Sequence, residues 1–128
     1  MIKSIEIEVR FFDIDMNNHV NNSVYFTYME NARTELLMED FLAYKEHGIL
    51  FVVAEASCKY KKPIRLNDNV IAELHFDFSG ALHFNVVYYF RNEHGLMYAE
   101  GITKLAMIDE KTNRPIRIPQ ALINKYTS

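Results

Sequence analysis

Tryptophan is absent from this sequence, cysteine occurs once, and no apolar run approaches the roughly 20 residues of a membrane span. The lone thiol, Cys58, excludes an internal disulfide and points to a reducing compartment. Its neighbours read as a strand, so a buried, inert thiol is expected there rather than a nucleophile. Residues 1–7 alternate polar with apolar and lack the apolar h-region of a secretory signal. Excess charge of either sign is lacking: 14 Lys+Arg against 17 Asp+Glu leave a formal −3. That balance argues against a nonspecific nucleic-acid binder, which needs a basic face. The expected chain is soluble and cytoplasmic, with neither membrane nor nucleic acid as partner.

What the sequence does have is apolar bulk. Hydrophobic residues make up 49% of its 128 positions, with 8 tyrosines and 9 phenylalanines. A chain of this length is expected to form one domain, residues 1–128, burying roughly two-thirds of its unfolded surface without covalent staples.

Ile5, Ile7, Val9 and Phe11 alternate with Glu6, Glu8 and Arg10, the period of a half-buried strand. Residues 13–22 are then polar, with four asparagines and no glycine. Asn21 or Asn22 can cap a following helix by accepting from its orphan N–H groups. Tyr25, Met29, Ala32 and Leu36 form one helical stripe, with Leu37 and Phe41 beside it. Arg33, Glu35, Glu39 and Asp40 fall toward the wet side. Gly48 is placed to stop the helix.

Four strand-like runs follow: residues 49–60, 70–78, 82–91 and 96–108. Residues 109–119 read as an irregular tail before a short C-terminal turn. One strand, one long helix and four strands joined by hairpin-like turns describe an α+β architecture rather than βαβ winding. A single helix cannot cover both faces of five strands, so a second copy of the chain is expected to protect part of the sheet. No repeat, low-complexity tract or linker interrupts this order.

Three segments carry a resemblance: Arg10-Phe11-Phe12-Asp13-Ile14-Asp15, then His19-Val20-Asn21-Asn22 with Tyr25, then Glu30-Asn31-Ala32-Arg33. Together they resemble the opening of the 4-hydroxybenzoyl-CoA thioesterase-like hot-dog proteins. The stretch Tyr60-Lys61-Lys62-Pro63-Ile64-Arg65-Leu66-Asn67-Asp68 is similar to that family too. The resemblance implies a single hot-dog domain, a five-stranded antiparallel sheet wrapped around one long helix. The pattern Asp15-x-Asn17-x-His19-Val20-Asn21-Asn22 looks closer still to the second module of acyl-ACP thioesterases. Those enzymes carry a Glu before the Tyr of the downstream motif, where this chain has Lys59, so no catalytic Glu carries over. Two glycines common in the family are replaced by Asn18 and Asn67. Asparagine is the best non-glycine substitute where φ must be positive.

The implied activity is hydrolysis of an acyl-CoA or acyl-ACP thioester. Asp15 is then the candidate general base, or the direct nucleophile through an anhydride. Without the resemblance it reads as a loop aspartate in an Asx-turn. Asn17 and His19 are candidate assistants that orient water or shuttle a proton, against the plainer reading of loop hydrogen bonding. Asp13 is assigned to structure. The oxyanion hole is expected at the helix N-terminus, with the backbone N–H near Asn22 as donor.

Tyr25 is read as pocket wall. Coenzyme A brings phosphates, for which Lys61, Lys62, Arg65, Arg114 and Arg117 are candidates, each equally readable as solvated surface. Glu30 and Arg33 stand three apart and are expected to pair across the helix. His47, His75, His83 and His94 show no metal spacing, and neither metal nor cofactor is expected. The expected partners are an acyl-CoA or acyl-ACP substrate and further copies of the chain, a dimer at minimum and a tetramer as the larger assembly. Two other classes stay open: a non-catalytic acyl-thioester binding module and a hot-dog 3-hydroxyacyl thioester dehydratase. The dehydratases carry Pro and Gly in the His-bearing segment before the helix, and this segment has neither.

Overall fold

The computed structural model describes residues 2–127. Strand β1 (Ile2–Ile7) leads through a 3-10 turn (Phe11–Asp13) to helix α1 (Val24–Glu46). Then come β2 (Ile49–Tyr60), β3 (Val70–Asp77), β4 (His83–Arg91), β5 (Met97–Asp109), β6 (Arg114–Pro115) and α2 (Gln120–Thr127). The sheet is antiparallel in the order β1-β3-β4-β5-β2, with β6 added beside β5. Its inner face packs on α1, giving one core that includes Met29, Ala32, Leu74, Val86, Tyr88, Phe90, Leu105 and Met107. No helix among the described residues is long and apolar enough to cross a membrane.

The helix stripe is buried at Tyr25, Tyr28, Met29, Ala32 and Leu37, the i, i+3, i+4 spacing of one face. A Cβ at Gly101 of β5 would lie 2.5 Å from the Met29 sulfur, so glycine lets the helix seat closely on the sheet. Gly48, at φ +75°, ends the helix as expected.

Five expectations change. β1 stops at Ile7, where its register with Val70 ends, and Phe11 and Phe12 are 74% and 92% exposed. The chain turns there because the Arg10 N–H donates to the Asp13 carboxylate, and the Asp13 N–H donates back to the Arg10 carbonyl. Arg33 lies not on the wet side but buried, donating to the Tyr88 hydroxyl at 3.2 Å, which in turn bonds Thr103 at 2.8 Å. It makes no ion pair with Glu30 among the described residues. The sheet gains a sixth strand of two residues. The C-terminal turn is a full helix, because Leu122 and Tyr126, one turn apart, bury against the sheet and Tyr126 bonds Asp40.

One irregularity in β2 matters for the site. Val53 faces Leu105 and Glu55 faces Lys104, so Ala54 is an extra residue in the ladder. Side chains alternate with period two, so that bulge reverses the phase of everything after it. Phe51 and Val53 face inward, opposite buried Met107 and Leu105. After the bulge Cys58 and Tyr60 face inward, opposite Gly101 and Ala99. Lys59 lies opposite Glu100 on the outer face.

Candidate active site

Residues 13–23 form a pinned polar loop at the start of α1. Asp13 is its buried post. Its carboxylate accepts from the Arg10 N–H at 2.9 Å and the Tyr28 hydroxyl at 2.7 Å, and its carbonyl accepts from the Asn21 N–H at 2.8 Å. Burial alone would raise the Asp13 carboxyl, but the Arg10 and Tyr28 hydrogen bonds outweigh it and hold the group below the ordinary aspartate value. The loop then closes on itself: the Asp15 N–H donates to the His19 carbonyl at 2.8 Å, and Val20 donates to Ile64 at 2.8 Å. Asn18 sits at the tip with φ +61°, and Asn67 in the downstream loop has φ +73°. Both positions where asparagine was expected to replace glycine are therefore left-handed.

Asp15 accepts through Oδ1 from the Asn17 N–H at 2.8 Å and the His19 N–H at 3.3 Å. This is the Asx-turn of the plainer reading, and it uses one carboxylate oxygen. Oδ2 accepts nothing from the described residues, so the turn orients the carboxylate and leaves an oxygen for an outside proton. His19 lines the same cleft without a side-chain bond to Asp15. The Asn17 side chain is exposed and does not line the cleft; its contribution to Asp15 comes from backbone.

The cleft holds about 370 Å³. Asp15, His19 and Asn22 line its loop side, Tyr25 and Tyr60 its wall, and Lys61 and Lys62 its rim. At the helix start, Asn21 accepts through Oδ1 from the Ser23 N–H at 3.0 Å, and its carbonyl accepts from Val24 at 2.9 Å. The Asn22 N–H has no protein acceptor among the described residues. An unpaired N–H at a helix N-terminus is suited to a developing oxyanion. Tyr25 is buried, which raises its hydroxyl to about 12 and keeps it protonated. Cys58 is raised to about 11 by burial, leaving little thiolate near neutral pH.

The basic candidates divide. Lys61 pairs with Glu100 at 3.4 Å, and Lys62 makes no ion pair among the described residues. Arg65 lies outside the cleft, its N–H donating to Asp68 at 2.8 Å. Arg114 sits on β6, and Arg117 lines a separate cleft beside Gly80 and Ile123. No group of three or more metal-ligating side chains is assembled among the described residues.

A family model for the thioesterase-like superfamily matches residues 9–125. The chain belongs to that superfamily. Its architecture is the superfamily's hot-dog fold, and the chain is a thioesterase by this membership. A probable thioesterase from Escherichia coli superposes with a TM-score of 0.85 at 26% identity, covering 98% of this chain and 95% of that one. A Thermus thermophilus thioesterase solved with coenzyme A and Zn has a TM-score of 0.80 at 30% identity, covering 96% and 90%. A chloroplastic acyl-acyl carrier protein thioesterase from Arabidopsis thaliana is 27% identical over 95% of this chain. The alignment spans 66% of that enzyme's length.

Sequence reasoning missed Tyr60 as a site residue. Its inward direction depends on the bulge at Ala54, which an alternation pattern does not reveal. Arg33 was misplaced because its angle on the helix set it toward the wet side, whereas the Tyr88 hydroxyl that receives it comes from β4.

Proposed function

We propose that this thioesterase hydrolyses acyl thioesters of coenzyme A at the Asp15–Asn22 cleft, releasing a carboxylic acid and a free thiol. The observation that carries the reading is one cleft lined by both Asp15, whose Oδ2 has no donor, and Asn22, whose N–H has no acceptor, among the described residues. As general base, Asp15 takes a proton from water as the water oxygen attacks the thioester carbonyl. The carbonyl oxygen becomes an oxyanion against the Asn22 N–H, worth about 3 kcal/mol for one such donor. Collapse of the tetrahedral intermediate breaks the C–S bond, and the thiolate takes up the proton. In the nucleophilic variant the Asp15 oxygen attacks the carbonyl and expels the thiolate, which takes a proton from solvent, and water then opens the anhydride to the acid and the Asp15 carboxylate. His19 shares the cleft and positions water. No cofactor or metal is required.

An acyl-ACP substrate is the second reading, favoured by the similarity to the Arabidopsis enzyme. The assembly belongs to the same reading: β2 is an edge strand with Val52 and Val53 37% and 46% exposed, and a second copy covering that edge supplies the missing layer. The cytoplasm suits a chain whose single cysteine is a protonated, half-buried thiol.

Thiol release from a panel of short, long and aromatic acyl-CoAs tests the proposal, with Asp15→Asn as control. Wild type is expected to turn over at least one class, and Asp15→Asn to lose about 10²–10⁴-fold in kcat. An inactive wild type, or a fully active Asp15→Asn, overturns it. Sizing by light scattering tests the assembly, which a stable monomer contradicts.

A further inference from the structure

We propose that the Tyr60 hydroxyl positions the oxyanion-binding amide of Asn22, as a tether from β2 to the first turn of α1. The inference rests on the hydrolytic reading above and adds a residue to it. Tyr60 donates to the Asn22 carbonyl at 2.9 Å across 38 positions of sequence.

Asn22 lies between two peptide planes, and each needs an anchor for its N–H to hold a direction. In the plane before it, the Asn21 carbonyl accepts from the Val24 N–H at 2.9 Å. In the plane after it, the Ser23 N–H donates to Asn21 Oδ1 at 3.0 Å, and the carbonyl is that of Asn22 itself. The ordinary helical donor to that carbonyl would be the Phe26 N–H, which instead donates to Ser23 at 3.3 Å. Tyr60 therefore fills an acceptor that the helix leaves open. The other bonds in these two planes come from within three residues, and the longer-range bonds of the loop, Val20 to Ile64 and Asn21 to Asp13, end before Asn22. Tyr60 ties the loop to the sheet.

The rest of the environment fits a fixed donor. The Tyr60 ring meets Tyr25 edge to face at 4.9 Å between centroids, and Tyr25 is buried in the core. The bulge at Ala54 turns Tyr60 toward the helix; were Ala54 paired in a regular ladder, strict alternation from Val53 would point Tyr60 to the outer face. The bulge and the cleft-wall tyrosine it turns inward thus converge on one carbonyl. A group that acts only by holding the amide changes transition-state binding more than ground-state binding.

Tyr60→Phe keeps the ring and removes the hydroxyl. Its kcat on an acyl-CoA that wild type hydrolyses is expected to fall by about tenfold or more, with KM within about twofold. Binding of an S-alkyl-CoA thioether, which lacks the carbonyl oxygen, should be unchanged. The Asn22 amide resonance in ¹⁵N-labelled protein should shift or broaden. Replacing Tyr60 by 4-aminophenylalanine restores a donor at the same place and should recover most of the lost kcat.

Wild-type kcat in Tyr60→Phe overturns the inference and leaves the hydrolytic reading standing. So does a loss carried by KM and thioether binding, or an undisturbed Asn22 amide. If Tyr60→Phe does not fold, the 4-aminophenylalanine variant decides alone: near-wild-type kcat supports the tether, and a tenfold loss overturns it. A wild type that releases no thiol overturns the hydrolytic reading, and this inference with it.

Discussion

Tyr28, one turn into α1, donates a 2.7 Å hydrogen bond to the buried carboxylate of Asp13, fifteen residues earlier. The bond joins the helix to the post from which the Asp15–Asn22 loop hangs, since the Asp13 carbonyl also accepts from Asn21. Tyr28→Phe leaves a buried carboxylate short of one donor and should cost about 1–3 kcal/mol. It should also change the response to acid. Asp13 is held below its ordinary value in the folded chain, so its stabilisation is complete above the unfolded value near pH 4. That contribution disappears as pH falls through the lower folded value. Removing the Tyr28 donor raises the folded value, which shrinks the contribution and moves its loss to higher pH. Urea unfolding at several pH values between 2 and 7 measures both effects.

Asn18 provides a test of backbone conformation that touches no side-chain contact. Its φ of +61° costs an L-residue about 1–2 kcal/mol, less for Asn and least for Gly. Asn18→Gly should be neutral or slightly stabilising, whereas Asn18→Ala should destabilise by about 1 kcal/mol. Thermal melts of the two variants should therefore bracket wild type. Equal melting temperatures for the Gly and Ala forms would show that the turn relaxes its conformation.

Those two asparagines show how far the sequence was readable. Positive φ at Asn18 and Asn67 followed from residue type and position, because few residues tolerate that region. The helix, its glycine stop and the order of strands were legible in the period of the apolar residues. Arg33 was not, because helical spacing gives an angle around the axis and says nothing about a Tyr88 hydroxyl reaching in from β4. The inward turn of Tyr60 depends on one extra residue in β2, and a single unpaired Ala54 leaves no mark on an alternation of apolar residues. The C-terminal helix was understated because only two of its eight residues, Leu122 and Tyr126, are fully buried. The candidate site was legible where it is local, from Asp15 to Asn22, and illegible where distant strands wall the cleft.

Cys58 lies two residues before Tyr60 on the same face of β2, outside the cleft lining, and its chemistry is muted. Burial raises the thiol to about 11, so at pH 8 about one molecule in a thousand carries thiolate. Iodoacetamide should react far more slowly with the folded protein at pH 8 than with the protein in urea, where the ordinary value returns. Because the folded value is raised, the thiol favours the folded state below its unfolded value and loses that effect as pH rises through about 11. Cys58→Ala should retain wild-type kcat. A rapid reaction in the folded state, or a large loss of kcat in Cys58→Ala, would assign the cysteine a role that its surroundings do not support.

The rim lysines bear on the carrier. Lys61 shares its charge with Glu100 at 3.4 Å, while Lys62 stands on the same rim without an ion pair among the described residues. An exposed lysine meeting a phosphate contributes on the order of 0.3–1 kcal/mol, which is about a twofold to fivefold effect on binding. Lys62→Ala should therefore raise KM for an acyl-CoA by about that factor and leave kcat unchanged, because the phosphates lie far from the reacting carbonyl. Lys61→Ala should do less, since removing it also removes the attraction that Glu100 already consumes. Salt separates this from a packing effect: screening at 1 M, where the Debye length is about 3 Å, should erase the difference between Lys62→Ala and wild type. An acyl-pantetheine lacks the nucleotide phosphates and should show no difference at any salt. A KM penalty that persists with acyl-pantetheine would mean that Lys62 shapes the cleft, and that the coenzyme's phosphates are held elsewhere.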